Sequence, residues 1–372
     1  MPSLIISTTS PLTPISIGVP YSQTFVASGG VGPYTWALNS GALPNGFAID
    51  SSGVLTGTTV TAIGAPYTFG VLVTDSSTPT ALTKTKTFEL DVLYDFGGGP
   101  VSAHQHPNGN GWVADTASVA STVYVGASAL VYGTPTITGK VQIYGTAKVY
   151  GTAILQDNAQ IYGQAEIYGS ATISGNGQVY DDAKVYGSAT VTGDAQVFGS
   201  SEVYGSAVVS GFSSASDTTF ISGYASLAET ASVEGSAVVT DYAKITGNAV
   251  VADNVSVSGY AQVLGNATLH TNVVVSGNSK IYGNAKLQGT VHVLNDAIVC
   301  DNASISDDAF IQGFAKVSGN SMLSGLGNII QGKAVVKDNS KLYGSVIAQG
   351  NSVISGNSEV INMTLEGDTI LS

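Results

Sequence analysis

The residues that could do chemistry in this sequence begin with a closely spaced histidine pair. His104 and His106 lie two residues apart, so in an extended chain their rings can point to the same side. Three copies of the pair around one axis would supply six imidazoles, a set suited to a transition metal. The alternative is a solvated segment that binds no metal. The pair is therefore a metal-site candidate only if the chain forms a trimer, and no other cofactor is expected.

The remaining reactive side chains do not form a catalytic set. His270 and His292 are 22 residues apart and are expected to be solvated surface histidines. Cys300 is expected to point outward, with no lysine or histidine beside it in sequence. Because no group of acids, bases and nucleophiles is brought together by spacing, we predict that the chain is not an enzyme.

Aromatic residues recur in two rows at intervals of 18 residues. The first row is Tyr144, Tyr162, Tyr180 and Phe198, and the second is Tyr132, Tyr150, Tyr168, Tyr186 and Tyr204. Exposed aromatic rows can stack on sugar rings or fill a subunit interface, which makes these residues surface-binding candidates. They can equally stack on one another and stabilise the chain, and this is the role that we favour.

The elements that must position these residues come from a repeat of six. From Val113 to Ile329, every sixth residue is Val, Ile or Leu at 36 of 37 positions, and Ala215 is the exception. A glycine or aspartate follows two residues later and a small residue four later, as in residues 149–154 (VYGTAI). No helix has this period, and glycine and aspartate suit tight turns. Each hexapeptide is therefore predicted to form one side of a triangular coil, with the aliphatic residue inside.

The outward residues predict the length of one turn. On one side of the coil Lys148, Glu166, Lys184 and Glu202 alternate in charge at steps of 18 residues. Opposite charges on adjacent strands attract by roughly 0.2–1 kcal/mol. Three hexapeptides therefore make one turn, and the repeat is long enough for about 14 turns. The aliphatic position moves by one residue beyond Ile329, which predicts a bulge or small loop near residues 325–327.

The first 94 residues follow a different pattern, with the period of two that is typical of half-buried strands. Phe69, Val71 and Val73 alternate with other residues, and turn signals separate this strand from its neighbours. Several such strands over about 90 residues favour a β-sandwich. The runs that carry a family likeness are Tyr21-Ser22, Gly29-Gly30, 32–36 (GPYTW), 43–47 (LPNGF), Ile49-Asp50 and 53–58 (GVLTGT). They resemble the immunoglobulin-like domains found in tandem in bacterial surface proteins and phage virion proteins, which implies a spacer or adhesion module without catalytic residues.

The six-residue repeat also resembles known families. It is similar to the hexapeptide-repeat β-helix family, whose members include acyltransferases and γ-class carbonic anhydrases, usually trimers. Residues 113–117 (VADTA) and the repeats that follow resemble repeat regions of phage tail-fibre and bacterial surface proteins, and this second resemblance is closer. The expected fold is all-β: an immunoglobulin-like β-sandwich over 1–94, a Gly/His-containing linker over 95–112, and a left-handed triangular β-helix with a C-terminal cap over 113–372.

Composition excludes several function classes. The net charge is −13, and all of the 12 basic residues are lysine, so the clustered cations of a nucleic-acid surface are missing. No stretch approaches the roughly 20 apolar residues that a membrane span needs, and the N-terminus lacks the pattern of a secretory signal.

The resemblances imply a non-enzymatic virion structural protein, a phage fibre or projecting appendage that contacts the host surface. Its expected location is the virion, with the bacterial cell surface as the alternative. A homo-oligomer is expected, with a trimer favoured, and the other expected partners are virion or surface proteins and a cell-surface glycan. Three alternatives stay open: a bacterial surface adhesin or spacer, an ice-binding protein, and a degenerate hexapeptide-repeat enzyme.

Overall fold

A computed structural model describes residues 3–62 and 65–372, so residues 1–2 and 63–64 of the predicted first domain lie outside it. All regular structure in these described ranges is β-structure. The described residues contain no helix that could span a membrane. The chain divides into two compact units, the first ending at Thr136 and the second covering Ile137–Ser372.

The strands of the first unit are short and follow one another closely. They are β1 (Ile5–Ile6), β2 (Ile15–Ser16), β3 (Tyr21–Thr24), β4 (Ala27–Ser28), β5 (Thr35–Gly41), β6 (Phe47–Ile49), β7 (Val54–Gly57), β8 (Tyr67–Thr74), β9 (Thr83–Leu90), β10 (Val92–Asp95), β11 (Pro100–Gln105), β12 (Trp112–Ala114), β13 (Ser118–Val119), β14 (Tyr124–Val125) and β15 (Leu130–Val131).

Apart from β2, which pairs in parallel with β10, the strands up to β9 form small antiparallel sheets. One sheet has the order β3-β7-β6, another has the order β5-β8-β9, and β1 pairs with β4. The alternation predicted for β8 is confirmed, because Phe69, Val71 and Val73 are all buried. Phe88 and Leu55 complete the centre of this core at 0% exposure. The sheets therefore enclose one apolar core, as the period of two predicted.

The segment predicted as a linker, residues 95–112, contains paired strands. β11 pairs antiparallel with β10 on one side and with β12 on the other, and β12 pairs in parallel with β15. The ring of Trp112 stacks on Tyr94 with centroids 4.3 Å apart, and Ala103 is buried. Apolar burial and strand pairing therefore order this segment, which the sequence analysis describes as a Gly/His-containing linker.

The second unit is a β-solenoid whose strands form three parallel faces. A further strand, Thr136–Ile137, lies at the boundary between the units. Face A consists of Ile154–Leu155, Thr172–Ile173, Thr190–Val191, Val208–Val209, Ser226–Leu227, Lys244–Ile245, Gln262–Val263, Lys280–Ile281, Ile298–Val299, Lys316–Val317, Val335–Val336, Val353–Ile354 and Ile370–Leu371.

The other two faces are built in the same way. Face B consists of Gln142–Ile143, Gln160–Ile161, Gln178–Val179, Gln196–Val197, Ser214–Ala215, Ser232–Val233, Val250–Val251, Thr268–Thr271, Ser304–Ile305, Met322–Ser324, Lys341–Tyr343 and Glu359–Ile361. Face C consists of Lys148–Val149, Glu166–Ile167, Lys184–Val185, Glu202–Val203, Phe220–Ile221, Val238–Val239, Ser256–Val257, Val274–Val275, Asp308–Ile311, Leu326–Ile330, Ile347–Ala348 and Thr364–Leu365. One strand, Lys286–Val293, belongs to both faces.

Strand pairing confirms a solenoid of about 14 turns with about 18 residues in each turn. Gln142 pairs with Gln160 and Ile154 pairs with Thr172, each one turn onward. The aliphatic residue of each hexapeptide points inward, and examples such as Ile161 and Val185 are 0% exposed. Burying one such side chain contributes roughly 1.5–3 kcal/mol, so the repeat itself supplies the core. The left-handed sense of the coil stays a prediction.

The predicted irregularity near residues 325–327 is confirmed as a bulge. Asp308 pairs with Leu326 and Ala309 pairs with Asn328, so Gly327 is the extra residue. One part of the sequence interpretation is wrong here: Ile330 is buried at 0% exposure, whereas Ile329 lies on the outside, because the register has already moved at Gly327. A later turn is shorter, since Ala348 pairs with Leu365 across 17 residues. Strand pairing then continues to Ile370–Leu371 in the part where a C-terminal cap was expected.

Candidate binding surfaces

The first predicted aromatic row lies on face B and is stacked on itself. The rings of Tyr144, Tyr162, Tyr180 and Phe198 follow one another with centroids 4.7–5.0 Å apart and planes within 1° of parallel. The Tyr162 hydroxyl donates to Gln178 Oε1 at 3.4 Å, and the Tyr180 hydroxyl donates to Gln196 Oε1 at 3.4 Å. Each ring face inside the row is therefore covered by a neighbouring ring.

The second row lies on face C beside the alternating charges. Tyr150, Tyr168, Tyr186 and Tyr204 stack with centroids 4.7–5.0 Å apart and planes within 3°. Two hydroxyl groups of the row donate hydrogen bonds to the acidic residues. The Tyr150 hydroxyl donates to Glu166 Oε2 at 3.1 Å, and the Tyr186 hydroxyl donates to Glu202 Oε2 at 2.8 Å.

The charge alternation that the sequence predicted on face C is present as ion pairs. Lys148 Nζ lies 2.9 Å from Glu166 Oε1, and Lys184 Nζ lies 3.7 Å from Glu202 Oε1. Burial alone would raise the pKa of Glu166, but hydrogen bonds from Lys148 and Tyr150 and the charges of Lys148 and Lys184 outweigh it and lower the pKa. Glu166 is therefore held ionised between its neighbours.

Burial and neighbouring charge keep the stacked phenols protonated. Burial, followed by the charges of Tyr180, Tyr144 and Asp181, raises the pKa of Tyr162 to about 12. Burial, then the hydrogen bond to Glu202 and its charge, raise the pKa of Tyr186 further still. These phenols remain hydrogen-bond donors within the chain at neutral pH. Self-stacking and intrachain bonding therefore support the stabilising role, while surface binding by these two rows stays a prediction.

Tyr132, assigned to the second row by its spacing, belongs to the first unit. Its ring stacks on Phe96 with centroids 5.0 Å apart and an angle of 25° between the planes. Phe96 in turn packs edge-on against Tyr94 at 4.8 Å. Tyr132 therefore joins the aromatic cluster around Trp112 in that unit.

A third aromatic row, not predicted as a site, lies at the corner between faces C and A. Tyr224, Tyr242 and Tyr260 are 61%, 46% and 59% exposed. Their centroids are 4.9 and 4.8 Å apart, with planes 5° and 7° from parallel. The 18-residue step could have revealed this row, which we name the corner tyrosine row. It occupies the position three residues after the inward aliphatic residue, whereas the predicted rows occupy the position directly after it.

The corner between faces A and B carries a ladder of amides. Its rungs are Asn248, Asn266, Asn284, Asn302, Asn320, Asn339 and Asn357. From each rung to the next, Nδ2 donates to Oδ1 at 2.8–3.1 Å. All seven side chains are exposed, and the ladder continues across the enlarged turn between Asn320 and Asn339. It ties successive turns together on the outside of the solenoid.

The histidine pair does not have the geometry of the predicted metal site. His104 Nδ1 lies 2.6 Å from Asp115 Oδ1, while His106 is 2% exposed and its Nδ1 accepts from the Asn108 amide at 3.3 Å. A ring buried in this way is not available to a second chain at a symmetry axis. Among the described residues, no cluster of three or more His, Cys, Asp or Glu side chains could hold a metal ion.

The solenoid histidines and cysteine lie in separate places. His270 Nδ1 is 3.8 Å from Asp253 Oδ2, and His292 stacks on Phe310 at 4.5 Å. Cys300 directly follows the inward Val299, in the outward position that was predicted, but it is covered there and only 1% exposed. Burial raises the pKa of its thiol despite the hydrogen bond from Tyr282. A buried thiol with a raised pKa is a poor nucleophile.

Comparison with known families identifies the N-terminal part of the chain. Residues 2–93 match the family described as "Putative Ig domain". With the three small antiparallel sheets of the first unit, this match confirms the predicted immunoglobulin-like domain. The match covers less than half of the chain and does not describe the solenoid. No curated protein matches the chain.

Proposed function

We propose that this chain is a non-enzymatic structural protein of a virion, a phage fibre or other projecting appendage that contacts the host surface. The observation that carries the proposal is the use of outward side chains to join turn to turn. Aromatic rows, the asparagine ladder and the Lys–Glu pairs follow the coil over many turns. Such turn-to-turn contacts are typical of a structural repeat protein, because nearest-neighbour contacts between repeats set the stability of a solenoid.

Turn length also supports a structural role. The strand pairs quoted for the second unit join residues 17 to 19 positions apart. Three short strands and three corners account for all the residues of such a turn. No long loop is therefore left between those strands to enclose a substrate. An enzyme site needs chemically active groups brought together in a shielded place, whereas the histidines and the cysteine of the solenoid lie in separate places.

The immunoglobulin-like domain and the resemblance of the repeat to phage tail-fibre sequences support the virion setting. This part of the proposal rests on analogy between families, because a fold by itself does not fix a function. A bacterial surface adhesin or spacer would use the same two modules. The two possibilities differ in where the protein is found.

Mass spectrometry of gradient-purified phage particles from the source organism tests the proposal. The expected result is that peptides of this chain co-purify with the particles and are enriched to the same extent as peptides of a capsid protein. Peptides found instead in the envelope fraction of particle-free cells would overturn the virion assignment and establish the adhesin or spacer. A washed-particle sample treated with high salt serves as the control for loose adsorption.

A further inference from the structure

The corner tyrosine row differs from the two predicted rows in its exposure and in the hydrogen bonding of its hydroxyl groups. Its rings are about half exposed or more, with 61% for Tyr224 and 59% for Tyr260. In the predicted rows, hydroxyl groups are bonded to Glu or Gln of the same chain, as for Tyr186 and Tyr180. The hydroxyls of Tyr224, Tyr242 and Tyr260 make no hydrogen bond to another described residue. They remain free to donate to and accept from a ligand.

The row presents ring edges and hydroxyls along its length, and at each of its two ends one ring face has no aromatic neighbour. Tyr242 lies between two parallel rings, so both of its faces are largely covered. One turn before Tyr224 the corner residue is Ser206, and one turn after Tyr260 it is Asn278. Because neither neighbour is aromatic, one face at each end is not stacked on a ring. Aromatic faces and phenol hydroxyls together match the mixed apolar and hydroxyl surface of a sugar.

Polar side chains flank the row on both sides. On the face C side lie Ser222, Thr240 and Ser258, each two residues before a tyrosine. On the face A side lie Ser226, Lys244 and Gln262, each two residues after a tyrosine. Ser222 is only 7% exposed, whereas the other five side chains are at least partly exposed. Those five supply hydrogen-bond donors and acceptors spaced by the separation of the turns, about 4.8 Å. The surface therefore repeats along the coil, and it suits a ligand that is itself a repeating chain.

Charge around the row argues against an anionic ligand. Residues 217–262 contain Asp217, Glu229, Glu234, Asp241 and Asp253, and Lys244 is their one basic residue. The whole chain carries a net charge of −13. Such a field repels polyanions at low and moderate salt. A neutral polymer rich in hydroxyl groups is not repelled.

We propose that the corner tyrosine row is a binding site for a neutral polysaccharide lying along the solenoid axis. This inference extends the proposed function. It rests on that function only in naming the host surface as the source of the polysaccharide. Tyr224 and Tyr260 stack on sugar rings at the two ends of the row. The hydroxyls of Tyr242, Ser226, Thr240 and Ser258 bond the sugar hydroxyls between them.

Binding to immobilised polysaccharides tests the proposal with the full chain. The probes are dextran, laminarin, mannan and galactan, with dextran sulfate as the anionic comparator. The test variant is Tyr224→Ser/Tyr242→Ser/Tyr260→Ser, which the fold can accept because Ser170, Ser188 and Ser206 occupy the same corner in preceding turns. The matched control is Phe314→Ser, which removes a side chain that is 66% exposed at the same corner beyond the row.

The expected result is measurable binding of the unaltered chain to at least one neutral probe. The triple variant loses about tenfold or more of that affinity, corresponding to about 1.4 kcal/mol, while the Phe314→Ser control keeps it. Thermal unfolding of both variants, followed by circular dichroism, shows that the solenoid is intact.

Four outcomes would overturn the proposal. They are binding to none of the neutral probes, tighter binding to dextran sulfate than to dextran, equal affinity in the triple variant, and a smaller solution mass for the triple variant. The last outcome would make the row a contact between copies of the chain. Failure of polysaccharide binding leaves the particle analysis unaffected, and absence from particles leaves the measured affinity unaffected, so the two proposals fail separately.

Discussion

At the scale of single residues, the solenoid depends on backbone positions with positive φ at its corners. Asp157 and Asp181, predicted to replace glycine there, have φ values of 62° and 57°. Asp157 Oδ2 accepts from the Gly175 amide one turn later at 2.9 Å, and Asp181 Oδ2 accepts from the Gly199 amide at 3.2 Å. Aspartate tolerates the left-handed region better than most residues, and here its carboxylate also joins two turns.

Glycine at such a corner should not be replaceable by alanine. Gly163 has a φ of 69°, and a Cβ added to it would lie 2.7 Å from the Asp181 backbone nitrogen. The left-handed conformation alone costs alanine roughly 1–2 kcal/mol, and the close contact adds to that cost. We expect Gly163→Ala to lower the free energy of unfolding by about 1–3 kcal/mol, measured by chemical denaturation of the solenoid followed by circular dichroism.

The matched control for this substitution is Asp157→Asn. Asparagine also tolerates positive φ, and its Oδ1 can still accept from the Gly175 amide. The control should unfold close to the unaltered chain. Equal stability of the alanine variant and this control would contradict the backbone explanation.

In the first unit, Asp75 shows how one carboxylate holds a loop. It is 4% exposed, and it accepts from the Val31 amide at 2.9 Å, the Leu82 amide at 2.6 Å and the Ser77 hydroxyl at 2.6 Å. Burial alone would raise the pKa of Asp75, but these hydrogen bonds outweigh it and lower the pKa to about 2. The ionised form is therefore favoured by folding.

Asp75 should make the immunoglobulin-like domain sensitive to acid. Because the folded-state pKa of about 2 lies below the ordinary 3.8, the stabilisation is complete above about pH 4 and is lost as pH falls through about 2. We expect Asp75→Asn to be less stable at neutral pH and to lose less stability over that window. Tryptophan fluorescence measures this, since Trp36 and Trp112 both lie in the first unit. An unchanged pH dependence in the variant would contradict the assignment.

At the scale of elements, the bulge in face C is held by one buried polar side chain. Asn328 is 0% exposed and takes the inward place that Ala309 has one turn earlier. Its Nδ2 donates to the Ser324 carbonyl at 3.1 Å, and its Oδ1 accepts from the Val346 amide at 3.3 Å. The extra residue at Gly327 disrupts the regular ladder, and Asn328 satisfies the backbone groups that the disruption leaves unpaired.

Removing this amide should destabilise the turns beyond the bulge. We expect Asn328→Ala to cost about 1–3 kcal/mol, because it leaves buried backbone groups without partners. Asn339→Ala, which removes an exposed rung of the asparagine ladder, is the matched control and should cost less. Hydrogen exchange of the Val346 amide gives a local readout. Protection of that amide equal to the unaltered chain's would contradict the role of Asn328.

The sequence predicted these elements well wherever one periodic rule governs them. The aliphatic residue at every sixth position predicted the buried interior, and the 18-residue step predicted the stacked rows and the Lys–Glu pairs. The shift of the aliphatic position predicted the bulge, although not that Ile330 already follows the new register. Each of these features repeats, so many residues report the same geometry.

Features that occur once were missed. Pairing of β11 with β10 and β12 depends on long-range contacts such as Trp112 on Tyr94, which no local pattern shows. Burial of Cys300 depends on the neighbouring turn, because its outward position alone predicts exposure. The corner tyrosine row covers three turns and occupies a position that is mostly Ser, Thr or Asn elsewhere. Its exposure distinguishes it from the other rows, and exposure is a tertiary property.

At the scale of the whole molecule, the proposed appendage predicts assembly into a trimer. Leu326 and Ile370 are 73% and 68% exposed, and exposed apolar side chains of this size are common where copies associate. Light scattering should give a mass three times the 37.6 kDa of the chain. A concentration-independent mass of one chain would contradict the trimer and favour a monomeric spacer or surface-binding protein.

The central claim, that the chain is a projecting part of a virion, is tested most directly by electron microscopy with a gold-labelled antibody. The antibody is raised against the second unit and applied to purified particles and to particle-free cells of the source organism. The account predicts label on structures that project from the particles, and none on the cells. Labelled cell surfaces together with unlabelled particles would contradict the virion assignment.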